Sequence, residues 1–337
     1  MKSVSLAVAV LAATTLSAGA DDNMDALAAG GLVLEKTDAL ALVAEDLYLS
    51  EKAARIEYRF RNVTGADIET TLAFPMPDIR GDLPSPVQIP DPAHDNFLAF
   101  ETLVDGQPVP SQVEQRAFLM QDGRPLEEIT DRLRSLGIPL VPTVEATQDA
   151  LRRLPESLRH VLAEAGILER QEHKDGTLVD VPRWILKSKF WRRQVFPAGR
   201  ELVVRQSYVP SLGGQPSLSY GWPEMDLTQK VRYEHRYCTD PAFERAAQAL
   251  YRRTSADGSR GISAYEQYLS HVVTFGNNWA GPIGTFKLIV DKGDPSTLMS
   301  FCGNDLRKTG PTTFEMVVKD YIPQRDIDIL FLKSTRG

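Results

Sequence analysis

Five histidines, two cysteines and a surplus of carboxylates are the residues of this sequence that could do chemistry. His94, His160, His173, His235 and His271 never fall at metal-ligand spacing. HExxH, CxxC, the phosphate-cradling P-loop and the dinucleotide glycine run are all missing. Gly261-Ile262-Ser263-Ala264-Tyr265 opens like a nucleophile elbow and lacks the closing glycine. Asp326 and Asp328 share one face of a β-rich stretch, ~7 Å apart along it. That spacing suits Ca²⁺ with further ligands and equally suits a solvated outer face. The sequence therefore assigns no catalytic residue, no cofactor site and no metal site.

Cys238 and Cys302 are the only cysteines. In an oxidising compartment an even pair reads as one disulfide; the alternative is two separate buried thiols. The aromatics are the more informative candidates for binding. Tyr220 and Trp222 lie in a loop-like Tyr-Gly-Trp-Pro stretch, and Trp279 follows a turn. Each is a candidate stacking platform for a sugar or peptide, or an apolar plug at a sheet end. Lys187, Lys189, Arg192 and Arg193 form a basic run beside Trp191 that could face acidic polymers or lipid head groups.

These residues need elements to hold them. Lys2, the apolar run Val4–Leu16 and the small-x-small site Ala18-Gly19-Ala20 read as an export signal over residues 1–20, cleaved between Ala20 and Asp21. The remaining ~300 residues suffice for one large or two ordinary domains. A formal charge of −7 with mixed signs disfavours nucleic-acid binding. No later stretch is apolar enough to span a bilayer. Over residues 21–123, Ile56, Tyr58 and Phe60 alternate with charged residues, as in a strand wet on one face. Ile68–Phe74 is the returning strand, ended by Pro75 and Pro77. Asp105-Gly106 is a hairpin signal. Residues 124–170 change to helical spacing, with Leu126, Ile129, Leu133 and Leu136 on one stripe and a second helix split by Pro155. Residues 171–337 return to β. Val231–Tyr237 reads as a strand, and Asp240-Pro241 caps one packed helix. The stretch Asn277–Gly293 reads as a turn feeding a strand, with Phe286, Leu288 and Val290 on its buried face. The expected fold is mainly β, two sandwich regions flanking an inserted helical segment.

Several pieces in order carry a family likeness. They are Gly30-Gly31-Leu32-Val33-Leu34, Glu45-Asp46-Leu47-Tyr48, Phe74-Pro75-Met76-Pro77-Asp78-Ile79, Gln194–Gly199, Asn277–Gly284, Ser300-Phe301-Cys302 and Arg325–Asp328. Together they resemble the bacterial secreted domain-of-unknown-function 4424 family. The resemblance implies export to the periplasm or beyond and an immunoglobulin-like β architecture; it brings no activity. The expected function is a non-enzymatic binding or structural module of the cell envelope, with an envelope protein or polymer as partner. The alternative is a hydrolase of envelope polymers with its site where the sandwich meets the helical segment.

Overall fold

The computed structural model describes residues 29–30, 32–34, 37–81, 88–92, 94–121, 124–172, 176–256, 263–274 and 278–335. The expected export signal and its cleavage point lie outside the described residues, as do His173, Gly261 and Asn277. In chain order the strands begin with β1 (Ala29–Gly30), β2 (Val33–Leu34), β3 (Leu40–Ser50), β4 (Ala54–Asn62), β5 (Ile68–Pro75) and β6 (Ile79–Arg80). Then come β7 (Glu101–Val104), β8 (Gln107–Pro108), β9 (Gln112–Gln121) and β10 (Arg124–Glu128). The helices α1 (Thr130–Ser135), α2 (Val144–Arg153) and α3 (Glu156–Glu164) follow. Next are β11 (Leu168–Glu172), β12 (Leu178–Pro182), β13 (Trp184–Phe196), β14 (Glu201–Tyr208) and β15 (Gly213–Gln215), then α4 (Leu227–Tyr237) and α5 (Pro241–Ala256). The chain ends with β16 (Ala264–Val272), β17 (Ile283–Asp291), β18 (Leu298–Phe301), β19 (Arg307–Lys308), β20 (Thr313–Tyr321) and β21 (Ile327–Ser334).

The chain is mainly β, as expected. Among the described residues the largest sheet has eight strands in the order β19-β20-β17-β3-β4-β14-β7-β8. All its pairs are antiparallel except β17 with β3. An immunoglobulin-like sandwich, by contrast, uses smaller and wholly antiparallel sheets. A six-stranded sheet runs β10-β9-β13-β5-β2 with β6 also on β13, and a five-stranded one runs β1-β16-β21-β18 with β15 on β16. Strands from residues 21–123 and from 171–337 pair within these sheets. β3 lies beside β17, β14 between β4 and β7, and β13 between β5 and β9. A βαβ-like crossover is not needed for the parallel pair, because most of the chain separates the two strands.

One core joins the layers. Tyr58 and Phe60 from the large sheet, Phe74, Phe190 and Phe196 from the six-stranded sheet, and Leu269, Ile329 and Phe331 from the five-stranded sheet belong to a single buried cluster. Phe100 stacks between Phe74 and Phe190 with ring centroids 4.5 Å apart on each side. β21 is buried on both faces. Ile329 and Phe331 enter that core, and Leu330 and Leu332 meet α4 and α5 behind the sheet. The helices α1–α3 cover Trp184, Ala117 and Leu119, and the Trp184 indole donates to the Leu140 carbonyl at 2.8 Å.

Two expected elements differ. Leu126 belongs to β10 and is exposed, so α1 starts only at Thr130. Val231–Tyr237 is helical, not extended. Asp226 caps α4 by accepting from the Gln229 N–H, and Tyr233 and Tyr237 turn inward at helical spacing. Pro155 does split α2 from α3, and Asp240 accepts from the Phe243 N–H at the start of α5.

The turn before β17 is tied to β3. Thr37 N–H donates to the Asn278 carbonyl and Ala280 N–H to the Leu40 carbonyl, each at 2.8 Å. Trp279 is buried, edge-on to Phe60 at 6.3 Å. The register of β3 against β4 slips between Leu42 and Ala44, a bulge centred on Val43. Leu40 and Leu42 point inward before it, and Glu45, Leu47 and Leu49 after it. The bulge pushes the Val43 carbonyl toward β17, where a Cβ built on Gly284 would sit 2.6 Å from that oxygen. Only glycine fits there.

Cys238 and Cys302 are disulfide-bonded, with Cα atoms 5.0 Å apart. Cys238 ends α4 in the left-handed conformation, and Cys302 follows β18, so the bridge staples the helical layer to the five-stranded sheet.

Two outcomes follow for stability. Gly284→Ala lowers unfolding free energy by about 1–3 kcal/mol in urea titration, because the bulge must move; a loss under ~0.5 kcal/mol contradicts the close contact. Cys302→Ser opens a loop of 64 residues and costs about 4 kcal/mol in the chain-entropy model, read as a lowered denaturation midpoint.

Candidate functional site

The large sheet hides one face and leaves the other open. Along β4, Ile56, Tyr58 and Phe60 are buried, while Arg55, Glu57, Arg59 and Arg61 face out. Register carries that alternation across six strands. One ladder reads Val317, Lys287, Asp46, Glu57, Arg205, Leu103 from β20 to β7. The next reads Glu315, Ile289, Tyr48, Arg55, Ser207, Glu101. None of the twelve is buried. All but Val317 and Glu315 line a concavity of about 380 Å³, within the size range of ligand clefts.

The floor is held by local pairs. The Arg55 guanidinium lies 4.1 Å from the Tyr48 ring centre, a cation–π contact. The Tyr48 hydroxyl donates to Asp291 at 3.1 Å. Arg205 donates to Glu57 at 2.7 Å, and this bond, more than any other influence, holds the Glu57 carboxyl below its ordinary value. Lys287 pairs with Glu315 at 3.4 Å. Asp46 and Glu101 accept no hydrogen bond from a described residue. The face thus offers apolar contact at Tyr48, Ile289 and Leu103, a stacked guanidinium and two unpaired carboxylates. It can grip a ligand that runs across the strands.

The aromatic candidates from the sequence do not converge. Trp279 is a core residue against Phe60, and Tyr220 is a core residue stacked on Tyr233 at 5.2 Å. Trp222 is 44% exposed, presented by the left-handed Gly221 turn. Three of the four side chains of the basic run meet a carboxylate, Lys187 with Asp78, Lys189 with Glu114 and Arg193 with Glu69. Asp326 accepts from the Val273 and Thr274 N–H groups and the Thr274 hydroxyl. Asp328 accepts from Ser270 and Arg236. No group of three metal-ligating side chains occurs among the described residues.

Three buried ionisable residues escaped the sequence reading. Glu266 accepts from the Ser219 and Tyr220 N–H groups at 2.7 and 2.6 Å and from the Tyr233 hydroxyl at 2.7 Å; the Tyr268 hydroxyl donates to it as well. Its carboxylate ties the Tyr220 loop and α4 onto β16. His271 meets the Tyr208 hydroxyl through Nδ1 at 2.7 Å, and its Nε2 has no partner. Burial pushes its pKa down to about 4. Glu45, turned inward by the bulge, is fully buried opposite Tyr58; burial first, then the neighbouring Asp46, pushes its pKa up to about 8.

With this geometry in place, a family profile, Domain of unknown function (DUF4424), matches residues 20–330. The chain belongs to this family. No curated protein matches the chain. Among solved structures, a candidate nutrient binding protein from Legionella pneumophila subsp. pneumophila str. Philadelphia 1 is similar at TM-score 0.43 and 10% identity, over 90% of this chain and 70% of that one. An M1 zinc metallopeptidase from Deinococcus radiodurans is similar at TM-score 0.23 and 9% identity, over 88% of this chain and 43% of that one. At these scores neither likeness bears on function.

The buried carboxyl has a signature in pH. Unfolded, Glu45 ionises near 4.5; folded, it stays protonated until about 8. The folded state therefore holds the extra proton between those values, and stability falls as pH rises through that window. His271 acts oppositely, losing stability as pH falls from 6.5 toward 4. Glu45→Gln is expected to raise Tm at pH 8 by at least ~3 °C and to change it by under ~1 °C at pH 4. Equal shifts at both values, by calorimetry, contradict a buried neutral carboxyl.

Proposed function

We propose that this chain is an exported, non-enzymatic binding module of the bacterial cell envelope, and that the open face of the eight-stranded sheet is its ligand surface. The observation that carries this reading is the pair of cross-strand ladders. They put Tyr48, Ile289 and Leu103 beside unpaired Asp46 and Glu101 in one concavity, uncovered by any described element. The partner is an envelope protein or polymer segment lying across the strands, its apolar groups on Tyr48 and its polar groups toward the two carboxylates. A sandwich-like reading is supported by the contact of Phe74 on the six-stranded sheet with Tyr208 on the large sheet, ring centres 5.3 Å apart. Export rests on the signal read in residues 1–20. No helix among the described residues is long and apolar enough to cross a membrane. A non-enzymatic role is favoured by how the described histidines are engaged. Of the four described histidines, His94 pairs with Asp91, His160 with Glu164 and His271 with Tyr208.

Site-specific photo-crosslinking in intact cells tests the reading. A photoreactive residue at Ile289 or Leu103 is expected to yield a discrete higher-mass adduct, and one at exposed Val195 on the six-stranded sheet is not. Equal adducts at all three positions, or none at Ile289 and Leu103, would falsify the assignment.

A further inference from the structure

A second cavity opens where the six-stranded sheet is interrupted. β5 pairs with Lys189–Phe196 of β13, and β6 with Ile185 and Leu186. Between them the chain Met76–Asp78 leaves the ladder. Pro75 and Pro77 have no N–H to give, and the backbone bond from Met76 N–H to the Ser188 carbonyl at 2.9 Å spans the gap. The gap opens into a cavity of about 420 Å³, larger than the one on the open face and on a different sheet.

Its wall has an uneven charge. Arg116, Lys187 and Lys189 line it against Asp78 and Glu114 only. Arg116 forks onto Glu128, which is not part of the wall. Lys187 donates once, to Asp78 at 2.5 Å, and Lys189 meets Glu114 at 3.1 Å. An ammonium has three N–H donors, so each lysine keeps donors to spare. Met76, Phe118 and Val272 supply apolar surface. Ser188, between the two lysines on β13, turns its side chain to the opposite, buried face of the strand.

We propose that this cavity binds a small amphipathic monoanion. Its carboxylate sits at Lys187 and Lys189, and its apolar chain lies along Phe118, Met76 and Val272. The site is independent of the open-face reading, because the two share no residue.

Titration calorimetry of the purified chain with octanoate, octylammonium and leucine decides it. Octanoate is expected to bind one-to-one, at least about tenfold tighter than the other two probes. Lys187→Met with Lys189→Met is expected to weaken octanoate at least about tenfold, since a methionine keeps the apolar stem and drops the charge. Tyr48→Ala on the open face leaves it unchanged. Circular dichroism melts of each variant show whether the fold is kept; exposed ion pairs such as these contribute little to stability. No saturable octanoate binding overturns the proposal. So does binding of octylammonium or leucine as tight as that of octanoate, or a folded double-lysine variant that binds as the parent does.

Discussion

The contact between the Val43 carbonyl and Gly284 is the constraint on which the large sheet depends. It is where the early strand β3 and the late strand β17 run parallel, and where β3 changes which residues it buries. A side chain at position 284 would hold the strands apart. Without that approach the sheet would end at β3, and β17, β20 and β19 would lose their attachment to it. The Asn278–Ala280 turn reinforces the join with two backbone hydrogen bonds and the buried Trp279. Parallel pairing over so long a sequence separation carries a large loop-closure cost, which the shared apolar core must offset.

The same bulge shapes both faces of the sheet. Inward, it delivers Glu45 to the core beside Tyr58, an ionisable group the fold tolerates by keeping it neutral. Outward, it sets Asp46 and Tyr48 into the two ladders that floor the open concavity. The proposed binding surface rests on paired strands, which fix its charged and aromatic groups in place. The Glu266 network does comparable work on the far side, where four donors hold a loop and a helix against the five-stranded sheet.

Much of this was legible in the residues. Ile56, Tyr58 and Phe60 alternate cleanly because β4 has one wet face, and the Phe286, Leu288 and Val290 stripe of β17 is buried as read. The Cys238–Cys302 bridge was the favoured reading of an even pair, given the expected export. Other features were hidden for physical reasons. Val231, Tyr233, His235 and Tyr237 alternate like a strand, yet Asp226 starts a helix whose inward residues are Tyr233 and Tyr237. Glu266 shares the face of Ala264 and Tyr268, a carboxylate at an apolar position, and that signal was available. Glu45 was not, because a bulge reverses parity without marking the sequence. The open face was beyond reach. Its ladders join residues from Asp46 to Val317, and only the register of six strands brings them together.

Hydrogen exchange with mass spectrometry under native conditions tests the central join most directly. If β3 and β17 form one cooperative sheet, the amides of Leu40–Ser50 and Ile283–Asp291 open together, with the same free energy and the same response to added urea. If the 283–291 amides exchange in a separate, less stable unit while 40–50 remains protected, the two halves are not joined at the bulge and the open face does not exist as described.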